Sequence, residues 1–266
     1  MPCKFVLSLI FTLNTLLPSD LLAHDFWIIP NQFQLEKYQK EETYFEIFVG
    51  ETFRGDRLKR YRQHLKTFKF RSVAAPDKAT NILGNFGSAP IGWAALSPDN
   101  SYVISYTSLT STVELGAEKF NSYLTHEGLT HLAKGDPTSK KPNNEQFSRC
   151  AKTLINAYST TKLTDIELGL TIELTLLNRS PKQKPTSHSW SIKYLNSPLI
   201  NTQVQLVSQK SKKAISTARS NKEGKVTFAI AEPGIYMVKA VHIIPKATDG
   251  LDWESFWASE TFEVLK

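Results

Sequence analysis

The sequence predicts a mainly β fold made of two β-sandwich-like domains, the first of which carries two inserted helices. Seven segments alternate apolar and polar residues or contain runs of β-branched residues, which is typical of strands. From about residue 164 onward these segments are short and regularly spaced, as in a small β-sandwich. Hydrophobic residues make up 41% of the 266 residues, with 12 Gly and 13 Pro, and this composition excludes a disordered or collagen-like chain.

Residues 1–23 are predicted to be a secretory signal peptide. Lys4 precedes an apolar run from Phe5 to Leu17, and Ala23 is a small residue suited to the cleavage position. The run has 13 residues, whereas a helix that spans a bilayer needs roughly 20, so an uncleaved membrane anchor is the weaker alternative. Cleavage after Ala23 would make His24 the amino terminus of an exported protein. No later segment is predicted to span a membrane.

Residues 24–163 are predicted to form the first, β-rich domain. Its two helices, 117–129 and 147–158, each place apolar residues at helical spacing. The second helix would bury Cys150, the one cysteine that remains after removal of the signal peptide, so no internal disulfide is predicted. The strands predicted in this domain are 42–49 and 102–106.

Residues 164–266 are predicted to form the second domain, a compact antiparallel sandwich. Turn-forming residues at 220–224 and 232–234 predict hairpin turns between its strands. The strands predicted in this domain are 168–177, 203–207, 225–230, 236–244 and 261–264.

Five sequence blocks carry a resemblance to a known family. They are His24–Pro30 (HDFWIIP), Val49–Phe53 (VGETF), Phe120–Leu129 (FNSYLTHEGL), Ser148–Leu154 (SRCAKTL) and Asp252–Phe262 (DWESFWASETF). In this order they resemble the periplasmic family of unknown function called DUF4198, and they extend over nearly the whole mature chain. The stretch Leu174–Pro181 departs from the family, in which this strand ends in a Val-Pro pair.

The resemblance implies a periplasmic protein of a kind often described as a component of nickel or cobalt uptake. It also implies that the second domain is an Ig-like or transthyretin-like sandwich. The ligand would then be a divalent nickel or cobalt ion, and the partner would be an envelope metal transporter.

His24 is a candidate metal ligand because of its predicted position at the mature amino terminus. A terminal amine has a pKa of about 7.7–8.0, so it can be neutral near physiological pH. The amine and the imidazole of one residue can chelate a single ion, and such nitrogen donors suit Cu(II) or Ni(II).

His242 is the predicted third ligand, and Asp252 is predicted to supply an oxygen ligand or to orient an imidazole. The alternatives are that His242 is a partly buried histidine with a hydrogen bond and that Asp252 is a turn residue before the last strand. His126 and His131 are five residues apart, about 140° around a helix, so they are not expected to share an ion. We expect His126 and Glu127 on the exposed side of their helix.

The charge distribution indicates which kinds of partner the protein could contact. The net charge is +7, and residues 54–71 contain eight Lys or Arg residues and one acidic residue. No nucleic-acid recognition motif accompanies them in an exported chain, so we expect a solvated face that makes peripheral contact with an anionic envelope surface, and no nucleic-acid partner.

An aromatic cluster, Trp27, Trp253, Phe256 and Trp257, is expected to close the core, with a groove for a sugar or peptide as the alternative.

Three classes of function are open on this sequence. The leading one is a periplasmic protein that binds a divalent transition metal and acts as an accessory in metal uptake or handling. The second is a non-catalytic envelope module that binds a partner or has a structural role. The third is an enzyme, a hydrolase or a copper oxygenase, and it ranks last. No paired catalytic groups stand at a meaningful spacing for a hydrolase, and an oxygenase would need an open, flat copper site facing its substrate, for which the sequence gives no signal.

Overall fold

The computed structural model describes residues 24–38, 42–133, 141–180 and 186–265, so the predicted signal peptide lies outside the described residues. The protein is mainly β, as predicted. In chain order the elements are β1 Asp25–Pro30, β2 Thr43–Glu51, β3 Arg54–Leu58, β4 Leu65–Ser72, β5 Thr80–Asn81, β6 Gly92–Ala94, β7 Tyr102–Ser108, β8 Ser111–Leu115, α1 Ala117–His126, a 3₁₀ turn Thr130–Leu132, β9 Asn143–Ile155, β10 Ile172–Ser180, β11 Thr186–Tyr194, β12 Ser197–Pro198, β13 Gln203–Ser208, β14 Lys213–Arg219, β15 Lys225–Ile230, β16 Gly234–Pro245 and β17 Trp253–Val264. No helix in the described ranges is long and apolar enough to cross a membrane.

The strands form three sheets that stack in layers. The central sheet has nine strands in the order β14-β13-β16-β17-β9-β7-β4-β5, with β8 also paired to β9. The front sheet consists of β1, β2, β3 and β6, and the back sheet of β10, β11, β12 and β15. Strand pairing is antiparallel in the described sheets except between β17 and β9, which run parallel.

The two faces of the central sheet belong to two different cores. Ile104 and Ala151 pack with the front sheet, while their chain neighbours Val103 and Cys150 pack with the back sheet. Because successive side chains of a strand point to opposite faces, the central sheet separates the two apolar cores. The central sheet therefore forms one sandwich with the front sheet and a second sandwich with the back sheet.

The predicted helix at 147–158 is wrong, because residues 147–155 lie in strand β9. From Phe147 to Ile155 most side chains of β9 are buried on both faces of the sheet. A strand buried on both faces loses its period-2 alternation and reads as a continuous apolar run. The spacing of Phe147, Cys150 and Leu154 then fits a helix by coincidence. The other predicted helix is confirmed as α1, and Cys150 is buried as expected.

The turns at 220–224 and 232–234 reverse the chain but do not make hairpins. Asn221 accepts a hydrogen bond from the backbone N–H of Gly224 at 3.0 Å, as in the predicted turn. However, β14 belongs to the central sheet and β15 to the back sheet, and the chain returns to the central sheet at β16. Turn chemistry fixes a local reversal and leaves open which sheet receives the next strand.

Candidate functional site

A cavity of about 350 Å³ lies where β1, α1 and the central sheet meet, and we call it the amino-terminal cavity. Its lining includes His24, Glu51, His126, Glu127 and Lys239. His24 immediately precedes β1, and Glu51 ends β2. The fold therefore brings the predicted mature amino terminus beside the carboxyl end of α1.

A buried ion triad forms one wall of this cavity. The Lys239 Nζ donates to Asp25 Oδ1 at 2.5 Å and to Glu127 Oε1 at 3.0 Å. Burial by itself lowers the pKa of Lys239, but the two carboxylates outweigh burial and raise it above its ordinary value. Burial likewise favours a neutral Glu127, yet Lys239 and His126 hold the pKa of this carboxyl below its usual range. Lys239 and Glu127 therefore stay charged at neutral pH, whereas burial raises the pKa of the Asp25 carboxyl above its usual range.

His126 lies between two carboxylates. Its Nδ1 is 2.9 Å from Glu127 Oε1, and its Nε2 is 3.3 Å from Glu51 Oε1. The hydrogen bond to Glu127 raises the pKa of His126. Glu51 is well exposed, whereas Glu127 is buried and is held by Lys239. The Glu127 carboxylate thus fixes the orientation of the His126 ring, and Nε2 of the ring lies next to the exposed carboxylate of Glu51.

The end of α1 is anchored to the central sheet, which fixes the position of His126. The helix ends at His126, and Gly128 follows with a φ of +69°. Gln203 Nε2 donates to the His126 carbonyl at 2.9 Å, and Arg219 Nη2 donates to the Gly128 carbonyl at 2.7 Å. Side chains of β13 and β14 therefore satisfy carbonyl groups at the helix end that would otherwise lack partners.

The chemistry of the cavity suits a cation. Burial lowers the pKa of His24, so its imidazole is neutral at pH 7 and can act as a ligand. Three carboxylates, Asp25, Glu51 and Glu127, line the cavity against two ammonium groups, Lys119 and Lys239.

The predicted ligands His24, His242 and Asp252 do not come together. His242 is on the face of β16 opposite to Lys239, and its ring contacts Tyr194 at 4.6 Å. Alternation along β16 therefore directs His242 toward the back sheet, away from His24 on the front side. Only burial shifts the pKa of His242, which is lowered.

Asp252 lies in the turn before β17, where its carboxylate accepts hydrogen bonds from Asn144 N at 3.0 Å and Lys141 Nζ at 3.2 Å. The backbone N–H and the ammonium group lower the pKa of this carboxyl. Asp252 therefore lies as a turn residue before the last strand, which was the alternative to a role in metal binding.

Sequence reasoning identified His24 as a candidate ligand but missed His126, Glu127 and Lys239, which line the same cavity. The sequence pattern suggested only His131 as a second ligand to pair with His126. In the structure His131 is exposed in the 3₁₀ turn. The expectation that Glu127 decorates an exposed helix face is also wrong, because only 6% of its side chain is exposed. A lysine inside the apolar run of β16 was the available signal, because a buried lysine needs acidic partners.

The aromatic cluster is mostly core, as expected. Trp27, Phe256 and Trp257 are buried, and Trp253 is half-buried against Phe120.

The basic stretch 54–71 is largely on the surface. Five of its cations are exposed: Arg54, Arg57, Lys59, Arg62 and Lys66. Contact of this face with an anionic envelope surface stays a prediction.

Comparison with known proteins gives a family and a distant structural match. The family model described as Domain of unknown function (DUF4198) matches residues 21–244. No curated protein sequence matches the chain. Among solved structures, the D0-D1 domain of Intimin matches with 12% sequence identity and a TM-score of 0.19, covering 90% of this chain and 97% of that one.

Proposed function

The chain belongs to the DUF4198 family of unknown function, and we propose that it is an exported protein that binds a divalent transition-metal ion through His24 and His126. The proposal revises the ligand set expected from the sequence. His126 takes the place of His242, and Asp252 has no part in the site.

One observation carries this proposal: His24 and His126 line the same cavity. The described residues contain no group of three or more His, Cys, Asp or Glu side chains arranged to hold a metal ion. Two imidazoles alone would bind weakly, so the site needs a further nitrogen ligand. Cleavage after Ala23 would supply it as the terminal amine of His24.

The surroundings of the two imidazoles support this assignment. The carboxylate of Glu127 at Nδ1 of His126 matches the way in which proteins orient a metal-binding imidazole through its other ring nitrogen. Binding at Nε2 would then require Glu51 to move aside, and Glu51 is free to do so because its side chain is 60% exposed. The carboxylates of Glu51 and Glu127 place negative charge next to the His126 ring, which favours a cation there.

Three nitrogen donors favour nickel or copper over cobalt among the candidate ions. Affinity for such sites rises from Co(II) through Ni(II) to Cu(II), and the last two accept tetragonal nitrogen coordination. In this proposal the ion is cargo, which the protein captures or hands on in the envelope. An envelope transporter is the proposed partner.

The test is a calorimetric titration of Ni(II), Cu(II) and Co(II) into the exported protein, with its first residue determined by mass spectrometry. We expect the protein to begin at His24 and to bind one ion. Placing one extra glycine before His24 should weaken binding at least 10–100-fold, because it removes the amine ligand and displaces the imidazole.

The control is His131→Ala, which removes an exposed imidazole outside the cavity and should leave affinity unchanged. If the protein that begins at His24 binds none of the three ions, or if the extended form binds as well as the parent, the metal proposal fails. The non-catalytic envelope module then becomes the leading function.

A further inference from the structure

A second cavity, of about 330 Å³, lies between the front sheet and the central sheet, and we call it the inter-sheet cavity. It shares no lining residue with the amino-terminal cavity. Its walls are largely apolar and include Phe26 from β1, Ile47 from β2 and Phe68 from β4. Lys59, Tyr61 and His64 are exposed at its rim, so the cavity opens to solvent there.

Arg149 on β9 lines this cavity as a buried cation. Only 6% of the residue is exposed. Its backbone N–H donates to Ser108 Oγ at 2.9 Å, but Nε and Nη2 of the guanidinium have no hydrogen-bond partner within the described part of the chain. The guanidinium carbon lies over the rings of Phe147 at 4.6 Å and Phe26 at 5.4 Å.

The neighbouring carboxyl does not neutralise Arg149. Glu145, four residues earlier on the same face of β9, is hydrogen-bonded to Ser255 and lies 3.5 Å from the Tyr123 hydroxyl. Among the described side chains no ion pair within 4.0 Å joins it to Arg149, although its charge raises the pKa of the guanidinium against the effect of burial. An arginine stays protonated in proteins, and a buried charge without a partner is costly. The inter-sheet cavity therefore has the fixed positive charge of the Arg149 guanidinium in its wall.

We propose that the inter-sheet cavity binds a small apolar carboxylate, of the size of a medium-chain fatty acid. The carboxylate accepts hydrogen bonds from Arg149, a geometry that the planar guanidinium favours. The apolar chain lies among Phe26, Ile47 and Phe68. At about 30 Å³ for each water-sized group, the volume has room for about ten non-hydrogen atoms, which is the size of octanoate.

The apolar walls argue against an inorganic anion. Phosphate or sulfate needs several donors around it, whereas most of this cavity offers carbon atoms that cannot replace its hydration. The positive charges of Lys59 and Arg60 at and near the rim favour the approach of an anion. This inference does not depend on metal binding.

The test is a calorimetric titration of octanoate into the exported protein, with 1-octanol and inorganic phosphate as comparison ligands. We expect saturable binding of octanoate at concentrations below about 1 mM and at least tenfold weaker binding of octanol and of phosphate. Absence of octanoate binding, or equal binding of octanol, overturns the proposal. Binding of phosphate as tight as that of octanoate overturns it too, because it would identify a plain anion site.

Arg149→Met tests the role of the guanidinium. This variant should lose octanoate affinity at least tenfold and should be no less stable than the parent, because an apolar side chain replaces an unpaired buried charge. Arg57→Met is the matched control, since Arg57 is exposed on β3 outside the cavity lining, and it should bind octanoate as the parent does. Undiminished binding by Arg149→Met overturns the assignment.

A second variant keeps the test valid if Arg149→Met does not fold. Leu58→Trp adds bulk to the half-buried wall near the rim without changing the charge. It should weaken octanoate binding at least tenfold, while unchanged affinity would show that the ligand lies elsewhere. Metal affinity of this variant should stay at the parental value, which separates failure of this inference from failure of the metal proposal.

Discussion

Lys152 is a single residue that connects the central sheet to the back sheet through its buried ammonium group. Its ammonium group is buried in the central sheet and lies 2.8 Å from Asp165, 3.2 Å from Glu173 and 3.4 Å from Glu260. Glu260 also accepts a hydrogen bond from the indole of Trp190 at 2.8 Å. This cluster joins the irregular segment at 165 to the central and back sheets through one positive charge.

Replacing this lysine should therefore be strongly destabilising. Lys152→Met leaves three buried carboxyl groups without their cation, and breaking a buried pair in this way costs roughly 3–5 kcal/mol. The free energy of unfolding from urea titration measures the effect. The matched control is Lys193→Met, which removes a partly exposed pair with Glu167 and should cost about 1 kcal/mol or less. Equal effects of the two variants would contradict this account of the cluster.

Glu145 should make stability depend on pH. Burial raises the pKa of this carboxyl from 4.5 to about 7, so the folded state binds its proton more tightly than the unfolded chain does. The contribution of Glu145 to stability is then complete below pH 4.5 and is lost as pH rises through about 7. By the shift in pKa, the full loss is about 3 kcal/mol.

Glu145→Gln removes this titration while it keeps a similar shape. The difference in unfolding free energy between parent and variant should change between pH 4.5 and 7 in the direction that disfavours the parent at higher pH. Urea titrations at several pH values in this window measure it. A difference that does not vary with pH would show that Glu145 titrates alike in the folded and unfolded states.

At the scale of elements, the end of α1 depends on Gly128. Its φ of +69° is unfavourable for other residues, and an added Cβ would lie 2.4 Å from the Gln203 side chain that holds the helix end. Gly128→Ala should therefore cost about 2 kcal/mol and weaken metal binding by displacing His126.

Gly116→Ala is the control at the other end of the helix. No atom lies within 4 Å of an added Cβ there, and φ is −58°, so the cost should be about 0.5 kcal/mol or less. Urea unfolding and metal titration of both variants measure the two effects. A Gly128→Ala protein with parental stability and affinity would show that this anchor does not fix the site.

The elements differ in how well the sequence predicted them. Strand β2 was predictable because its side chains alternate between buried and more exposed positions. β9 was not, because both of its faces are buried and its spacing imitates a helix. The periodicity of a sequence reports the number of buried faces as much as the type of element.

At the scale of the whole molecule, the central sheet joins the two halves of the chain. β9 and β7 come before residue 164, whereas β16 and β17 come after it, and all four are neighbours in one sheet. The mainly β class followed from composition and alternation. The shared sheet did not, because the parallel pair of β17 and β9 joins segments about 110 residues apart that carry no local signal for each other.

In the candidate site, too, the sequence predicted what depends on neighbouring residues and not what depends on contacts between distant segments. The signal peptide pattern placed His24 at a mature terminus, which is a local inference. The pairing of Lys239 with Asp25 and Glu127 spans 214 and 112 residues, so it depends on the assembled layers. His126 became a candidate ligand only when those layers placed it beside His24.

The most direct measurement compares Ni(II) and Cu(II) titrations of two single variants, His126→Ala and His242→Ala, each prepared so that His24 is its first residue. The account predicts at least a 10–100-fold loss of affinity for His126→Ala and no change for His242→Ala, because only His126 shares the amino-terminal cavity with His24. Parental affinity in His126→Ala, or a loss confined to His242→Ala, would contradict it.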